Sequence, residues 1–323
     1  MIMAIRIHET GGPEALRWEG VEVGHPGSGE ARLRHTGVGL NFIDTYHRAG
    51  LYPLALPAVL GSEGAGVVEE VGPDVTEAKP GDRVAYAGPI GAYAQARLIR
   101  ADRLVPLPAD ISDRAAAAMM LKGMTAQYLL RRTCRVEPGD LVLVHAAAGG
   151  VGLIACQWAK HLGATVIGTV STEEKAALAR EHGCDHTIVA SREEFVARVR
   201  EITGGRGVRV VYDSVGKDTF EGSLDCLQPL GMMVSYGNSS GPVPPFSPLV
   251  LAAKGSLFLT RPTLMTYTAR REDLLATAAE LFEVVRSGAV RIEIRQTYPL
   301  AEAAQAHRDL EARSTTGSTV LLP

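Results

Sequence analysis

Cysteine is scarce in this 323-residue chain: Cys134, Cys156, Cys184 and Cys226 are scattered, and no two lie at C-x-x-C spacing. Their scatter argues against the disulfide framework of a small secreted domain and against a structural zinc lobe, and reads as reduced, buried thiols of a cytoplasmic protein. Aromatic residues make up 5% of the chain and the formal net charge is −3. Neither a base-stacking platform nor a basic face for nucleic acid follows from such a composition, so no nucleic-acid partner is expected. No apolar run approaches the ~20 residues of a membrane span. The opening MIMAIRIHETGG lacks the basic segment and apolar core of a signal peptide. No membrane partner is expected either.

What the chain does have is a concentration of small residues at one place. VLVHAAAGGVG, residues 142–152, runs from a short apolar strand into alanines and glycines without a reactive group. Ala147, Gly149 and Gly152 keep the G-x-G-x-x-G spacing with alanine in first place, and A-x-x-G-x-x-G can be read from Ala146. At such a turn the main chain approaches a bulky anion closely, and the free N–H groups at Gly150, Val151 and Gly152 would point at it from the positive end of a helix. The turn by itself is explained equally well by packing.

Its surroundings decide for a dinucleotide. Val151, Ile154, Ala155, Trp158 and Leu162 recur at helical spacing up to Gly163. Strands over 164–170, 186–190, 208–215, 232–237 and 256–260 then alternate with helices over 173–182, 192–203 and 219–227. This alternation predicts a parallel sheet covered on both faces, a Rossmann-type α/β fold. An NAD site usually places an acid at the end of the second strand, about 20 residues past the turn; here Val170 and Ser171 stand there. Ser171 can bond a 2′-phosphate and Lys175 can neutralise it, so NADPH is expected over NADH. Two plainer roles stay open: Ser171 and Glu174 have capping-box spacing, and Lys175 lies beside Glu173 and Glu174 as a solvated lysine would.

The first 110 or so residues read as a compact, mostly β domain of short alternating runs between Gly/Pro turns. Residues 106–133 turn helical, with Asp110 or Ser112 as cap. A helix over 271–288, a strand over 290–300, a helix over 301–312 and a final strand from 317 form a tail expected to pack back on the β domain.

Several stretches together resemble one family: GVGLNFIDTYHRAGLYP (37–53), LGSEGAGVVEEVG (60–72), GDRVAY (81–86), LKGMTAQYLL (121–130), HAAAGGVGLIACQWAKHLGA (145–164), VVYDSVG (210–216) and GNSSG (237–241). They resemble the medium-chain dehydrogenase/reductase superfamily and, within it, the zinc-independent, zeta-crystallin-like quinone oxidoreductases. The resemblance implies a GroES-like, mostly β catalytic domain over 1–125 and 265–323 and a Rossmann NADPH-binding domain over 126–264. Asn41 stands where zinc-dependent relatives carry a cysteine ligand, and Gly61, Ser62, Glu63 stand where they read Gly-His-Glu. No metal is therefore expected, and the nine histidines show no paired ligand spacing and read as surface or packing residues.

The implied reaction is NADPH-dependent hydride transfer to a small-molecule quinone in the interdomain cleft. Asn41, Asp44, Tyr46, Tyr52 and Thr125 are implied near nicotinamide and substrate, the two tyrosines donating to quinone oxygen. No residue stands out as a general acid. Core packing for the tyrosines, a cap role for Asp44 and a loop role for Asn41 remain rival readings. For the cofactor, Ala147, Gly149, Gly150, Val151, Gly152, Ser171 and Lys175 are joined, on the resemblance, by Asn238 and by Arg313 as a second cation for the 2′-phosphate. Ala190 stands where many relatives have a tyrosine, a contact that Ser191 or Arg192 would have to replace. A homodimer is implied, paired through the strand SLFLT. Two other functions stay open: an enone or 2-alkenal reductase, and a cofactor-binding protein with a structural or RNA-binding role.

Overall fold

Alternating apolar residues dominate the N-terminal part of the chain, and it forms sheets. In the computed structural model, which describes residues 1–323, strands β1 (Ile2–Ile7), β2 (Arg17–Val21) and β3 (Glu30–Leu40) lead into helix α1 (Phe42–Arg48). They are followed by β4 (Ala58–Val59), β5 (Glu63–Val71), β6 (Arg83–Ala87), β7 (Ala96–Arg100) and β8 (Val105–Pro106). Along β3 the side chains of Ala31, Leu33 and His35 turn inward while their neighbours do not, the period of two that a half-buried strand requires. Helix α2 (Asp113–Tyr128) continues as a π-type turn over Leu129–Thr133. Its first turn is capped by Ser112, whose Oγ accepts from Ala115 N at 3.2 Å, so Ser112 rather than Asp110 starts it.

The second half alternates as expected. β9 (Leu141–Val144), α3 (Gly150–His161), β10 (Thr165–Val170), α4 (Glu173–Glu181) and β11 (His186–Val189) come first. Then follow α5 (Phe195–Ile202), β12 (Val208–Asp213), α6 (Phe220–Asp225), β13 (Leu227–Ser235), α7 (Leu249–Ala253) and β14 (Phe258–Thr260). The six strands form one sheet in the order β11-β10-β9-β12-β13-β14, every pair parallel. Counted from β9 this is the doubly wound order of dinucleotide-binding folds. Its core joins Leu143, Ile167, Ile188, Val211, Phe220 and Met233.

After α8 (Leu264–Tyr267) and α9 (Arg271–Arg286), strand β15 (Ile294–Pro299), helix α10 (Ala303–Glu311) and strand β16 (Ser318–Leu322) complete the chain. β16 enters the first sheet between β15 and β3, in the order β15-β16-β3-β5-β6-β8 with β7 also on β3. The strand expected over 290–300 is shorter than its alternation suggested. Val290 N bonds Val284 O and finishes the end of α9, and pairing with β16 begins only at Ile294. The strand expected over 256–260 likewise begins at Phe258, because Ser256 takes a φ of +57°. The chain gathers into two compact units, Met1–Met124 with Thr268–Phe282 and Ile292–Pro323, and Thr125–Tyr267 with Glu283–Arg291.

Candidate functional site

In the second unit β9 connects through α3 to β10 on one side, while β12 lies on its other side. The carboxyl ends of β9 and β12 are therefore a topological switch point, where open α/β sheets bind ligands. The turn leaving β9 occupies that point. Ala146 adopts a φ of +52°, Ala147 N bonds Thr169 O at 3.0 Å, and Gly149 N bonds Ala146 O at 2.9 Å. Gly149 is the N-cap of α3 and contributes no side-chain cap; the first bond to it from within the helix comes from Leu153 N. The N–H groups of Gly150, Val151 and Gly152 precede that bond, at the positive helix end.

Gly152 is fixed by crowding. A Cβ there would lie 2.3 Å from Ala146 O and 2.8 Å from Ala147 Cα. At Gly149 the nearest atom, Ala146 O, is 3.2 Å away. Gly152 lets the helix close on the turn, whereas the space beside Gly149 is open apart from Ala146 O. A pyrophosphate fits this cradle.

At the end of β10, Ser171 follows buried Val170 with no carboxylate in the position of a ribose-binding acid. Thr172, not Ser171, is the N-cap of α4: its Oγ1 accepts from Lys175 N at 3.3 Å, so the Ser171–Glu174 capping box does not form. Ser171 O accepts from Ser191 Oγ at 3.0 Å, and Arg192 pairs with Glu173 at 3.2 Å. Ser191 and Arg192 thus border the same edge as Ser171 and Lys175. Asn238 lies in the loop after β13, which is tied to the loop after β12. Ser239 N bonds Ser214 O at 3.1 Å and Ser240 N bonds Val215 O at 2.9 Å. Arg313 belongs to the first unit, where it follows α10 with a φ of +58°. Thr125, buried in α2, is the first residue of the second unit.

Sequence reasoning missed two residues here. His145, by its sequence a surface or packing residue, has a buried ring bonded at both nitrogens, to Thr169 Oγ1 at 2.8 Å and Ser223 Oγ at 2.9 Å. Asp213, wholly buried at the end of β12, accepts from Val215 N, Gly216 N, Thr219 Oγ1 and Ser223 Oγ. The available signal was a polar residue ending each of two apolar strands.

In the first unit Asn41 and Asp44 form a capping box at the start of α1, with Asn41 N donating to Asp44 Oδ2 at 3.0 Å. Asn41 Nδ2 also donates to Glu63 Oε2 at 2.9 Å. Glu63, with no exposed surface, accepts from Lys122 Nζ at 2.7 Å and from Leu121 N at 2.8 Å. A buried ion pair thus adjoins Asn41, at the position where zinc-dependent relatives place a cysteine. No three His, Cys, Asp or Glu side chains are gathered where they could hold a metal ion.

Asp44 points inward. It accepts from Ser62 Oγ and Tyr93 OH, both at 2.9 Å, and burial raises its pKa to about 6. Tyr93 OH in turn meets His307 Nε2 at 3.1 Å, His307 Nδ1 meets Arg48 at 2.9 Å, and Arg48 pairs with Glu311. Tyr46 and Tyr52 are half-buried and meet edge to face with centroids 5.4 Å apart, flanked by Phe42 and His47. The structure therefore brings Asn41, Asp44, Tyr46 and Tyr52 onto α1 and the loop behind it.

These buried groups make stability depend on pH. Burial lowers His307 to about 3, with Arg48 adding to the effect, and lowers His35 to about 4. Their stabilisation is complete above the unfolded value near 6.5 and is lost as pH falls through that value towards the folded ones. Asp44 acts oppositely, stabilising most below 3.8 and losing that contribution as pH rises through about 6. Between roughly pH 4 and 6 these two imidazoles alone outweigh the single carboxyl by one proton, and His47 and His145, also lowered by burial, act in the same direction. Unfolding free energy should then fall by at least about 1.4 kcal/mol per pH unit on acidification. Urea unfolding from pH 7.5 to 4.5 checks this, and His307→Gln should flatten the slope.

Residues 27–109 match the alcohol dehydrogenase GroES-like domain, and residues 150–283 match the zinc-binding dehydrogenase family. Over 100% of both chains, the protein is 56% identical to a quinone oxidoreductase of Pseudomonas aeruginosa. The chain belongs to the quinone oxidoreductase family of the medium-chain dehydrogenase/reductases. It is also 54% identical to a 2-haloacrylate reductase of Burkholderia sp, covering 100% of this chain and 99% of that one. The crystal structure of Escherichia coli quinone oxidoreductase complexed with NADPH matches this quinone oxidoreductase family member with a TM-score of 0.98. Identity is 50%, over 99% of this chain and 100% of that one. The fold is thus a Rossmann-type parallel sheet with a GroES-like, mostly β domain.

Proposed function

We propose that this protein is an NADPH-dependent quinone reductase that works without a metal. The observation that carries the reading is the Ala146–Gly152 turn at the β9/β12 switch point, followed by a second strand whose end lacks an acid. The N–H groups of Gly150 and Val151 would hold the pyrophosphate, beside Ala147 and the cleared surface of Gly149. Ser171 and Lys175 would take the 2′-phosphate, and Asn238 would border the nicotinamide. Bound there, NADPH would supply a hydride, and a quinone that takes it would become a hydroquinone anion with its remaining proton drawn from solvent. Tyr46 and Tyr52 offer an aromatic surface ending in hydroxyls, suited to orienting a flat acceptor with polar oxygens. Asn41 and Asp44, joined in the capping box, hold the first turn of α1, the helix that carries Tyr46.

The cationic group at the end of β10 gives a prediction. Lys175→Ala should lower kcat/KM for NADPH about 10-fold, the size of one charge-assisted contact, and leave NADH within about 2-fold. Initial rates with the two cofactors read it directly.

Reduction of an activated alkene is the second reading, favoured by the 54% identity to a 2-haloacrylate reductase. Product analysis with a simple quinone and with an enone, supplied separately with NADPH, separates the two. Turnover of the quinone supports the first reading, and turnover of the enone alone replaces it by the second.

We also infer a homodimer, formed by pairing of β14 edges. β14 ends the six-stranded sheet; Phe258 on it, Leu249 in α7 and Leu230, whose N bonds Gly255 O, are 55%, 76% and 67% exposed. Sedimentation of wild type and Phe258→Glu tests it. A cytoplasmic location suits the four free, buried cysteines, and no helix is long and apolar enough to cross a membrane.

A further inference from the structure

We propose that Thr169, His145, Ser223 and Asp213 form a brace, with its protons in a fixed order, that sets the position of the loops after β12 and β13 relative to the dinucleotide turn. His145 and Ser223 are on this view positioning residues for the transfer step. The inference rests on the cofactor reading above.

The order of protons follows from counting donors. Asp213 is a carboxylate whose Oδ1 accepts from Val215 N at 2.8 Å and Gly216 N at 3.0 Å, and whose Oδ2 accepts from Thr219 Oγ1 at 2.7 Å and Ser223 Oγ at 2.9 Å. Ser223 has one hydroxyl proton and gives it to Asp213. Its oxygen can therefore only accept from His145, so Nε2 carries the imidazole proton. Burial lowers the pKa of His145 and keeps the ring neutral, so Nδ1 is bare and accepts from Thr169 Oγ1. The chain of donation runs Thr169 to His145 to Ser223 to Asp213. Each step has one possible direction, and every member is satisfied. The ring is held flat in this line by Phe195, whose ring meets it edge to face at 5.2 Å and 90°.

The brace joins what a bound dinucleotide would span. His145 immediately precedes Ala146, whose φ of +52° starts the turn, and Thr169 lies one residue before the end of β10. Asp213 ends β12 and ties down Val215 and Gly216. That loop carries the one after β13, through Ser239, Ser240 and the bond from Lys217 N to Gly241 O at 3.1 Å. The two loops touch without space for side chains between them: a Cβ on Gly216 would lie 2.6 Å from Gly241 O, and one on Gly237 would lie 2.5 Å from Ser214 O. Asn238 therefore moves with Asp213. A shift of the brace would leave the turn able to hold a pyrophosphate but would misplace the loops on the far side of the switch point. Rate should suffer more than cofactor affinity.

The test compares His145→Asn, His145→Gln and Ser223→Ala. A glutamine amide reaches the Nε2 position and can keep the donation to Ser223, whereas an asparagine amide reaches only the Nδ1 position. We expect Ser223→Ala and His145→Asn to lower kcat for quinone reduction about 10-fold with the NADPH Kd within about 3-fold, and His145→Gln to recover most of the rate. Long-range 15N–1H correlation of histidine-labelled wild type, assigned with the variants, should show His145 as the Nε2–H tautomer. An Nδ1–H tautomer would overturn the proton order. Equal loss in the asparagine and glutamine variants, or a fall in Tm without a selective loss of kcat, would reduce His145 to packing and overturn the positioning role. If wild type itself turns over no quinone, the function proposed above fails, while the tautomer and the NADPH Kd still decide the brace.

Discussion

Gly152→Ala is expected to weaken NADPH binding at least 100-fold, the largest effect of any single methyl group added to the turn. The new Cβ would stand 2.3 Å from Ala146 O and 2.8 Å from the Ala147 carbonyl carbon. Both neighbours are main chain, and neither can step aside. Ala146 lies between His145, bonded at both ring nitrogens, and Ala147, whose N–H is bonded to Thr169 O. Relief requires α3 to move away from the turn, which takes its first N–H groups with it. A hundredfold loss corresponds to about 2.7 kcal/mol, the scale of two charge-assisted hydrogen bonds. Gly149→Ala is the control, since its Cβ meets only Ala146 O at 3.2 Å; its Kd should rise much less. Fluorescence titration with NADPH measures both, with circular dichroism to establish that each variant is folded. Wild-type affinity in folded Gly152→Ala would mean that the turn does not hold the cofactor.

Lys122→Met should destabilise the fold by about 3–5 kcal/mol, because it leaves a buried carboxylate without its counter-charge. Glu63 has no exposed surface; after the substitution only Asn41 Nδ2 and Leu121 N would remain to it. The backbone at Gly39 leaves no space for a water-filled rearrangement, since a Cβ placed there would lie 2.2 Å from Glu63 Oε2 and 2.3 Å from Ala117 O. The double variant Glu63→Gln/Lys122→Met removes the charge together with its partner and should recover more than half of the loss. Urea unfolding of the three proteins decides it. A single variant as stable as wild type would show that the pair does not sustain this region.

The parallel sheet was legible because its evidence is local: apolar strands, helical spacings and glycine stops each sit within a few residues. The turn at 146–152 was legible for the same reason, and the absence of an acid at Ser171 is a fact about one position. Boundaries were less so. Val290 and Ser256 look like strand residues, but Val290 finishes a helix and Ser256 takes a positive φ, outcomes set by pairing partners elsewhere. The cap of α4 fell to Thr172 rather than Ser171, a shift of one residue that spacing alone does not resolve. Least legible were the polar clusters. Glu63 and Lys122 are 59 positions apart, and His145 and Ser223 are 78 apart. Such ties come into being only when distant strands and helices close on each other. The resemblance drew attention to Asn41 and Asp44 but not to what they bond, which is a buried ion pair and a tyrosine–histidine–arginine line.

On the function proposed above, a backbone cradle brings NADPH to a quinone with no metal taking part. Initial-rate oxidation of NADPH and of NADH by chelator-treated protein, with a simple quinone as acceptor, tests it most directly. Turnover should be undiminished after chelation, and kcat/KM for NADPH should lie well above that for NADH. Loss of turnover restored by added zinc, or equal use of the two cofactors, would contradict it.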